Sequence, residues 1–132
     1  MDCRLDPASA YGFDVGEAVI IRNAGGSARA AARSVLASNH LLGTEEVYVV
    51  KHTRCGLLGA TTEKVHEAIK KNLGLTESKE VDEFVIYPIA DLQDSAEEDV
   101  NFLRNHPLAM AKIRVTGWIY DTDTGVIKKV VE

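Results

Sequence analysis

Apolar residues along the chain gather into short continuous runs, separated by stretches in which they recur every three or four positions. This is the alternation expected when buried strands are joined by amphipathic helices. Asp6-Pro7 opens a turn or short helix, with Asp6 as cap. Glu17-Ala18-Val19-Ile20-Ile21-Arg22 reads as a short buried strand, stopped by Asn23-Ala24-Gly25-Gly26, after which Ser27 can cap a helix. Over residues 28–42 apolar side chains fall at Ala28, Ala31, Ala32, Val35, Leu36 and Leu42, which predicts a helix with a small-residue face, ended by Gly43. Residues 46–50 form a second apolar strand, and residues 57–73 a second helix ending at Gly74. The polar stretch 76–83 reads as a surface connection to a third strand, Phe84-Val85-Ile86-Tyr87, closed by Pro88. Asp94-Ser95-Ala96-Glu97-Glu98-Asp99 opens a further helix through Arg104, its carboxylates suited to a solvated first turn at the positive helix end. Residues 110–120 and 126–131 read as strands joined by the turn Asp121-Thr122-Asp123-Thr124-Gly125. The pattern predicts an α/β fold: a mostly parallel β-sheet flanked by helices, with right-handed crossovers and a C-terminal antiparallel hairpin.

A chain of 132 residues, 45% apolar, is long enough to bury a core, and residues 1–132 are expected to form a single domain. A net charge of −5, with Lys and Arg scattered, gives no basic footprint for nucleic acid or an anionic membrane. No apolar run approaches the roughly 18–20 residues of a membrane span, and Met1-Asp2-Cys3-Arg4 lacks the apolar centre of a signal peptide, so a soluble cytoplasmic protein is expected. Two cysteines allow one disulfide at most, and a reducing compartment favours metal ligation or burial instead.

Candidate chemistry concentrates where an apolar run, Val47-Tyr48-Val49-Val50, ends in Lys51-His52-Thr53-Arg54-Cys55-Gly56. An imidazole and a thiolate three residues apart are both good zinc ligands. The same spacing also suits a buried cysteine beside a hydrogen-bonded histidine. Asp2 and Arg4, two apart in an extended segment, share a face and can pair, although charges near a terminus are commonly solvated. The Asn23-Ala24-Gly25-Gly26 loop entering a helix is compatible with an anion-binding turn as well as with a plain tight turn. Strands of a parallel sheet gather functional residues at their carboxyl ends, so these three segments are expected to lie together. His40, His66 and His106 have no ligand partner nearby in sequence and read as surface or capping residues.

In combination the segments are more specific. Met1-Asp2-Cys3-Arg4-Leu5, then Val19-Ile20-Ile21-Arg22-Asn23-Ala24-Gly25, then His52-Thr53-Arg54-Cys55-Gly56 closely resembles, in this order, the CxDxR, RNAG and HxxC motifs of the β-class carbonic anhydrases. The resemblance runs over essentially the whole chain. It implies a zinc lyase that hydrates carbon dioxide to bicarbonate, working as a homodimer or higher homo-oligomer. It makes His52 and Cys55 metal ligands, Asp2 and Arg4 the catalytic dyad, and Asn23, Ala24 and Gly25 the substrate or anion loop. The family's first cysteine ligand falls directly before Met1. The expectation is therefore a native chain that begins earlier, with Cys3 or Asp2 as the residues able to fill that ligand position here. Arg54 stands where an acidic residue is common. Hydrolysis of carbonyl sulfide or carbon disulfide on the same scaffold, and a catalytically silent dimeric binding module, are the alternatives.

Overall fold

In the computed structural model, which describes residues 1–132, strand β1 (Glu46–His52) pairs in parallel with β2 (Arg114–Tyr120), and β2 pairs antiparallel with β3 (Ile127–Val131). The order β1-β2-β3 leaves one side of β1 as an open sheet edge. The predicted α/β architecture with its C-terminal hairpin is present. Both cysteines are free thiols.

The helices begin where side chains supply the missing acceptors for their first amides. Asp6 caps α1 (Pro7–Tyr11), Ser27 caps α2 (Ala28–Leu41), Thr61 caps α3 (Thr62–Leu73) and Ser78 caps the single turn α4 (Lys79–Asp82). Asp91 accepts from the amides of both Gln93 and Asp94, so α5 (Leu92–Arg104) starts ahead of the predicted acidic run. Helix α5 lies against all three strands and against α2. The core forms between them from Ala28 and Val35 of α2, Val49 of β1, Val100 and Leu103 of α5, and Val115 of β2. Alternation along β1 turns Val47, Val49 and Lys51 toward α5, and Tyr48, Val50 and His52 to the opposite face.

Four expected elements are corrected. Residues 17–22 do not form a strand: residues 18–22 make no backbone hydrogen bond, and Val19, Ile20 and Ile21 are exposed. Residues 84–87 likewise join no strand, and the third strand reduces to one parallel bridge between Leu58 and Ile89. That bridge explains why the helix predicted from residue 57 starts only at Thr62. The Leu57 carbonyl accepts from Ile89 and the Gly59 amide donates to Ile89, which commits this stretch to an extended pairing before Thr61 can cap. Residues 110–113 turn before β2 begins.

Between residues 17–22 on one side, and β1 and α2 on the other, runs a cleft of about 1340 Å³. Ile20, Ile21, Val35, Val49 and Leu103 line its apolar part, and Asp2, His52 and Cys55 stand in the same cleft. No helix is long and apolar enough to cross a membrane.

Candidate metal centre

His52 is the last residue of β1, opposite Tyr120 in the parallel register. Its Nδ1 lies 2.8 Å from the Thr53 carbonyl. A carbonyl only accepts, so Nδ1 carries the proton and Nε2 of the neutral ring keeps a free lone pair, the arrangement a metal-ligating imidazole needs. Beyond it the chain turns sharply at Arg54, whose φ of +57° makes it the only non-glycine residue in the left-handed region. That conformation costs a residue with a Cβ about 1–2 kcal/mol. It is held from both ends. The Arg54 carbonyl accepts from Arg4 at 2.9 Å and its guanidinium reaches Asp123 at 2.5 Å. The turn also brings Cys55, half-buried and with its thiol free of hydrogen bonds, back to the cleft that His52 lines. Thr53 completes the support: its amide donates to Tyr120, and its hydroxyl accepts from the Thr122 amide at 2.9 Å. The hairpin after β2 is thus the bracket for the His52–Cys55 turn. Thr53, Thr122 and Asp123 were not singled out from the sequence, because their partners are 69 residues away.

Asp2 and Arg4 pair as predicted. The Arg4 guanidinium grips both carboxylate oxygens, Nε to Oδ1 at 2.9 Å and an Nη to Oδ2 at 2.6 Å, and the Arg4 amide adds a third bond to Oδ1 at 2.9 Å. These hydrogen bonds hold the Asp2 carboxyl well below the usual carboxylate range, and the pairing raises Arg4 in turn. Asp2 Oδ2 lies 3.9 Å from His52 Nε2. Arg22 fixes the segment by donating to the carbonyls of Asp2 at 2.6 Å and Leu5 at 2.8 Å. Cys3 is a free, exposed thiol on the rim of the same cleft.

The Asn23–Gly26 segment also reaches the cleft, through a 3-10 turn (Ala24–Gly26). Both ends of the Asn23 amide are spent on Ser27: Oδ1 accepts from its N–H at 2.7 Å, and Nδ2 donates to its carbonyl at 2.9 Å. Asn23 therefore shapes the turn, while Ala24 and Gly25 line the cleft. His40 and His66 bond to the carbonyls of Leu108 and Phe84, His106 accepts from the Leu108 amide, and none of the three lines the cleft.

Behind the site, on the other face of β1, Lys51 is only 2% exposed and reaches Asp99 of α5 at 2.6 Å. The acidic run was expected to be solvated, and for Asp99 this is corrected. It lies more than one turn into α5, on the face of Ala96, Val100 and Leu103. Spacing relative to Val100 and Leu103, together with a lysine at a core position of β1, is the sequence signal for this pair. Buried ion pairs repay their desolvation poorly, and an apolar pair of similar volume is often neutral or more stable by about 1–4 kcal/mol.

The structure thus brings together His52, Cys55, Asp2, Arg4 and the Ala24–Gly25 backbone. A free imidazole nitrogen and a free thiol on one cleft suit zinc in kind. No three His, Cys, Asp or Glu side chains of the chain converge closely enough to hold an ion among themselves.

The family model for carbonic anhydrase matches residues 1–127. Among characterised relatives, the chain is 31% identical over 144 residues to a carbon disulfide hydrolase of Acidithiobacillus thiooxidans, covering 97% of this chain and 72% of that protein. It is 30% identical over 131 residues to β-carbonic anhydrase 1 of Mycobacterium tuberculosis, covering 98% and 77%. The solved carbonic anhydrase from Glaciozyma antarctica superposes with a TM-score of 0.90 at 40% identity, over 99% of this chain and 78% of that one. With the family model matched over residues 1–127 and a solved carbonic anhydrase superposing over 99% of the chain at 40% identity, the chain belongs to the β-class carbonic anhydrase family.

Proposed function

We propose that the protein is a zinc enzyme that hydrates carbon dioxide to bicarbonate, with His52 and Cys55 as metal ligands and Asp2 and Arg4 as the catalytic dyad. The observation that carries this reading is the Asp2–Arg4 pair standing 3.9 Å from the free Nε2 of His52. Zinc, when bound, supplies a water acidified to a pKa of about 7 in well-studied sites. Asp2 then has a defined task. Because Arg4 keeps it ionised, its carboxylate accepts a hydrogen bond from the nucleophile and aims it at the carbon, without retaining the proton. The proton of hydration leaves to solvent or buffer. The Arg4 fork occupies both Asp2 oxygens, which favours this orienting role over ligation by Asp2 and leaves Cys3, a free thiol on the same cleft, as the donor for a further ligand position. Ala24 and Gly25 offer backbone to the substrate or product anion.

Carbon disulfide is the second substrate class, favoured by the names of relatives such as the 31% identical hydrolase. It is linear like carbon dioxide and open to the same attack at carbon, with release of hydrogen sulfide. Purified protein should bind stoichiometric zinc and produce bicarbonate from carbon dioxide, or sulfide from carbon disulfide, measured side by side. Zinc should be lost from both His52→Ala and Cys55→Ser; unchanged zinc content in these variants removes the site assignment. Failure of the parent to turn over either substrate despite bound zinc favours the silent binding module.

The active form is taken to be a homodimer or higher homo-oligomer acting in the cytoplasm. The accessible surface of 8622 Å² supports the oligomer. It exceeds by about 1,800 Å² the roughly 6,800 Å² typical of a monomer of this mass.

A further inference from the structure

The buried ammonium of Lys51 has three partners. Its Nζ donates to Asp99 Oδ2 at 2.6 Å, to the Gly25 carbonyl at 3.0 Å and to the Gly26 carbonyl at 3.1 Å, so all its protons are used. Those partners belong to the turn that lines the cleft and to α5, and Lys51 itself immediately precedes His52. With both carbonyls drawn to Lys51, the peptide N–H groups of Gly26 and Ser27 point the other way, where the Asn23 carbonyl and side chain receive them at 3.3 Å and 2.7 Å. The turn packs tightly: a Cβ on Gly26 would stand 2.8 Å from the Val50 carbonyl oxygen, and one on Gly25 would meet Leu57 and Ile89.

We propose that Lys51 and Asp99 are positioning residues of the site, a buried clamp that locks the Asn23–Gly26 turn and α5 to the end of β1 and so fixes the turn relative to the His52 imidazole. A purely stabilising contact at this place would be served as well by two apolar side chains. What an apolar pair cannot do is orient two successive peptide carbonyls. This inference rests on the proposed reaction only for its catalytic consequence; the clamp itself has its own readout.

The test compares the parent with Lys51→Met, Asp99→Asn and the double variant Lys51→Met/Asp99→Leu. The double variant removes the charges without leaving one unpaired, and its melting temperature and zinc content are expected to stay near those of the parent. Amide exchange at Gly26 and Ser27 should nevertheless rise at least tenfold, and kcat should fall about tenfold while that melting temperature is retained. Parental exchange at these amides in the folded double variant overturns the clamp. Faster exchange with parental kcat overturns its positioning role. A measurement on the parent alone stands even if every variant fails to fold: Lys51 ammonium protons should exchange slowly and show nuclear Overhauser contacts to the Gly26 α-protons, and their absence overturns the proposal. A parent that turns over no substrate but shows the protected turn and the ammonium contacts refutes the proposed reaction while leaving the clamp in place.

Discussion

Asp2 owes its behaviour to one neighbour. The hydrogen bonds from the Arg4 side chain and backbone depress its pKa, so the ionised form is favoured in the folded protein. With an unfolded value near 3.9, the stabilisation this gives is fully present above about pH 4 and is lost as the pH falls through the depressed folded value. Asp2 should therefore add no slope to stability or activity between about pH 5 and 9. In Arg4→Met the Asp2 carboxyl should titrate at a higher pH than in the parent, measurable by carboxyl-carbon NMR; an unmoved titration would show that Arg4 is not the cause. Asp2→Asn should lower turnover about 10–100-fold, as loss of an orienting partner does at metal sites, with zinc content retained. Gly26 has a φ of +56° and a backbone oxygen where a Cβ would go. Gly26→Ala should destabilise by about 2 kcal/mol or more, read from denaturant midpoints.

At the scale of elements, helices were more legible than strands. Residues 28–42, with Ser27 ahead and Gly43 after, held every local signal for α2, and the helix ends within one residue of that expectation. A helix satisfies its own backbone, so its sequence suffices. A strand needs a neighbour. Val19, Ile20 and Ile21 have the composition of a buried strand, yet no strand lies alongside to accept their hydrogen bonds; Phe84 and Val85 fail in the same way. Helix α5 is the element on which the three strands depend, since Val100 and Leu103 are fully covered between α2 and the sheet. Leu103→Ala should cost about 2–5 kcal/mol, whereas Leu73→Ala on the exposed end of α3 should stay within about 0.5 kcal/mol. Comparable losses in thermal or denaturant unfolding would contradict this ranking of the two helices.

For the whole molecule the decisive quantity is surface. Only 16 of 132 residues are buried, and an apolar cleft of about 1340 Å³ runs beside the open edge of β1. Uncovered edges and apolar clefts promote association. Sedimentation at micromolar concentration should find dimers or larger species, and an exclusively monomeric protein would refute the expected assembly. Ile20→Lys, on the cleft wall, should reduce binding of a hydrophobic dye; undiminished fluorescence would mean that the dye binds elsewhere.

The sequence by itself determined the α/β class, the caps Asp6 and Ser27, and the candidate residues of the site. The residues Asp2, Arg4, His52 and Cys55 occur in two short motifs whose side-chain types allow a carboxylate–guanidinium pair and two soft or borderline metal donors. What only the tertiary structure decided was long-range pairing. It showed which apolar runs find a strand partner, how the Thr122 and Asp123 hairpin braces the His52–Cys55 turn, and that Asp99, outwardly one more acid in a charged run, is the buried partner of Lys51. The physical reason is range: caps, periodicities and motif spacings act over a few residues, whereas ladder bonds and buried ion pairs exist only once segments 48 or 69 residues apart are packed together.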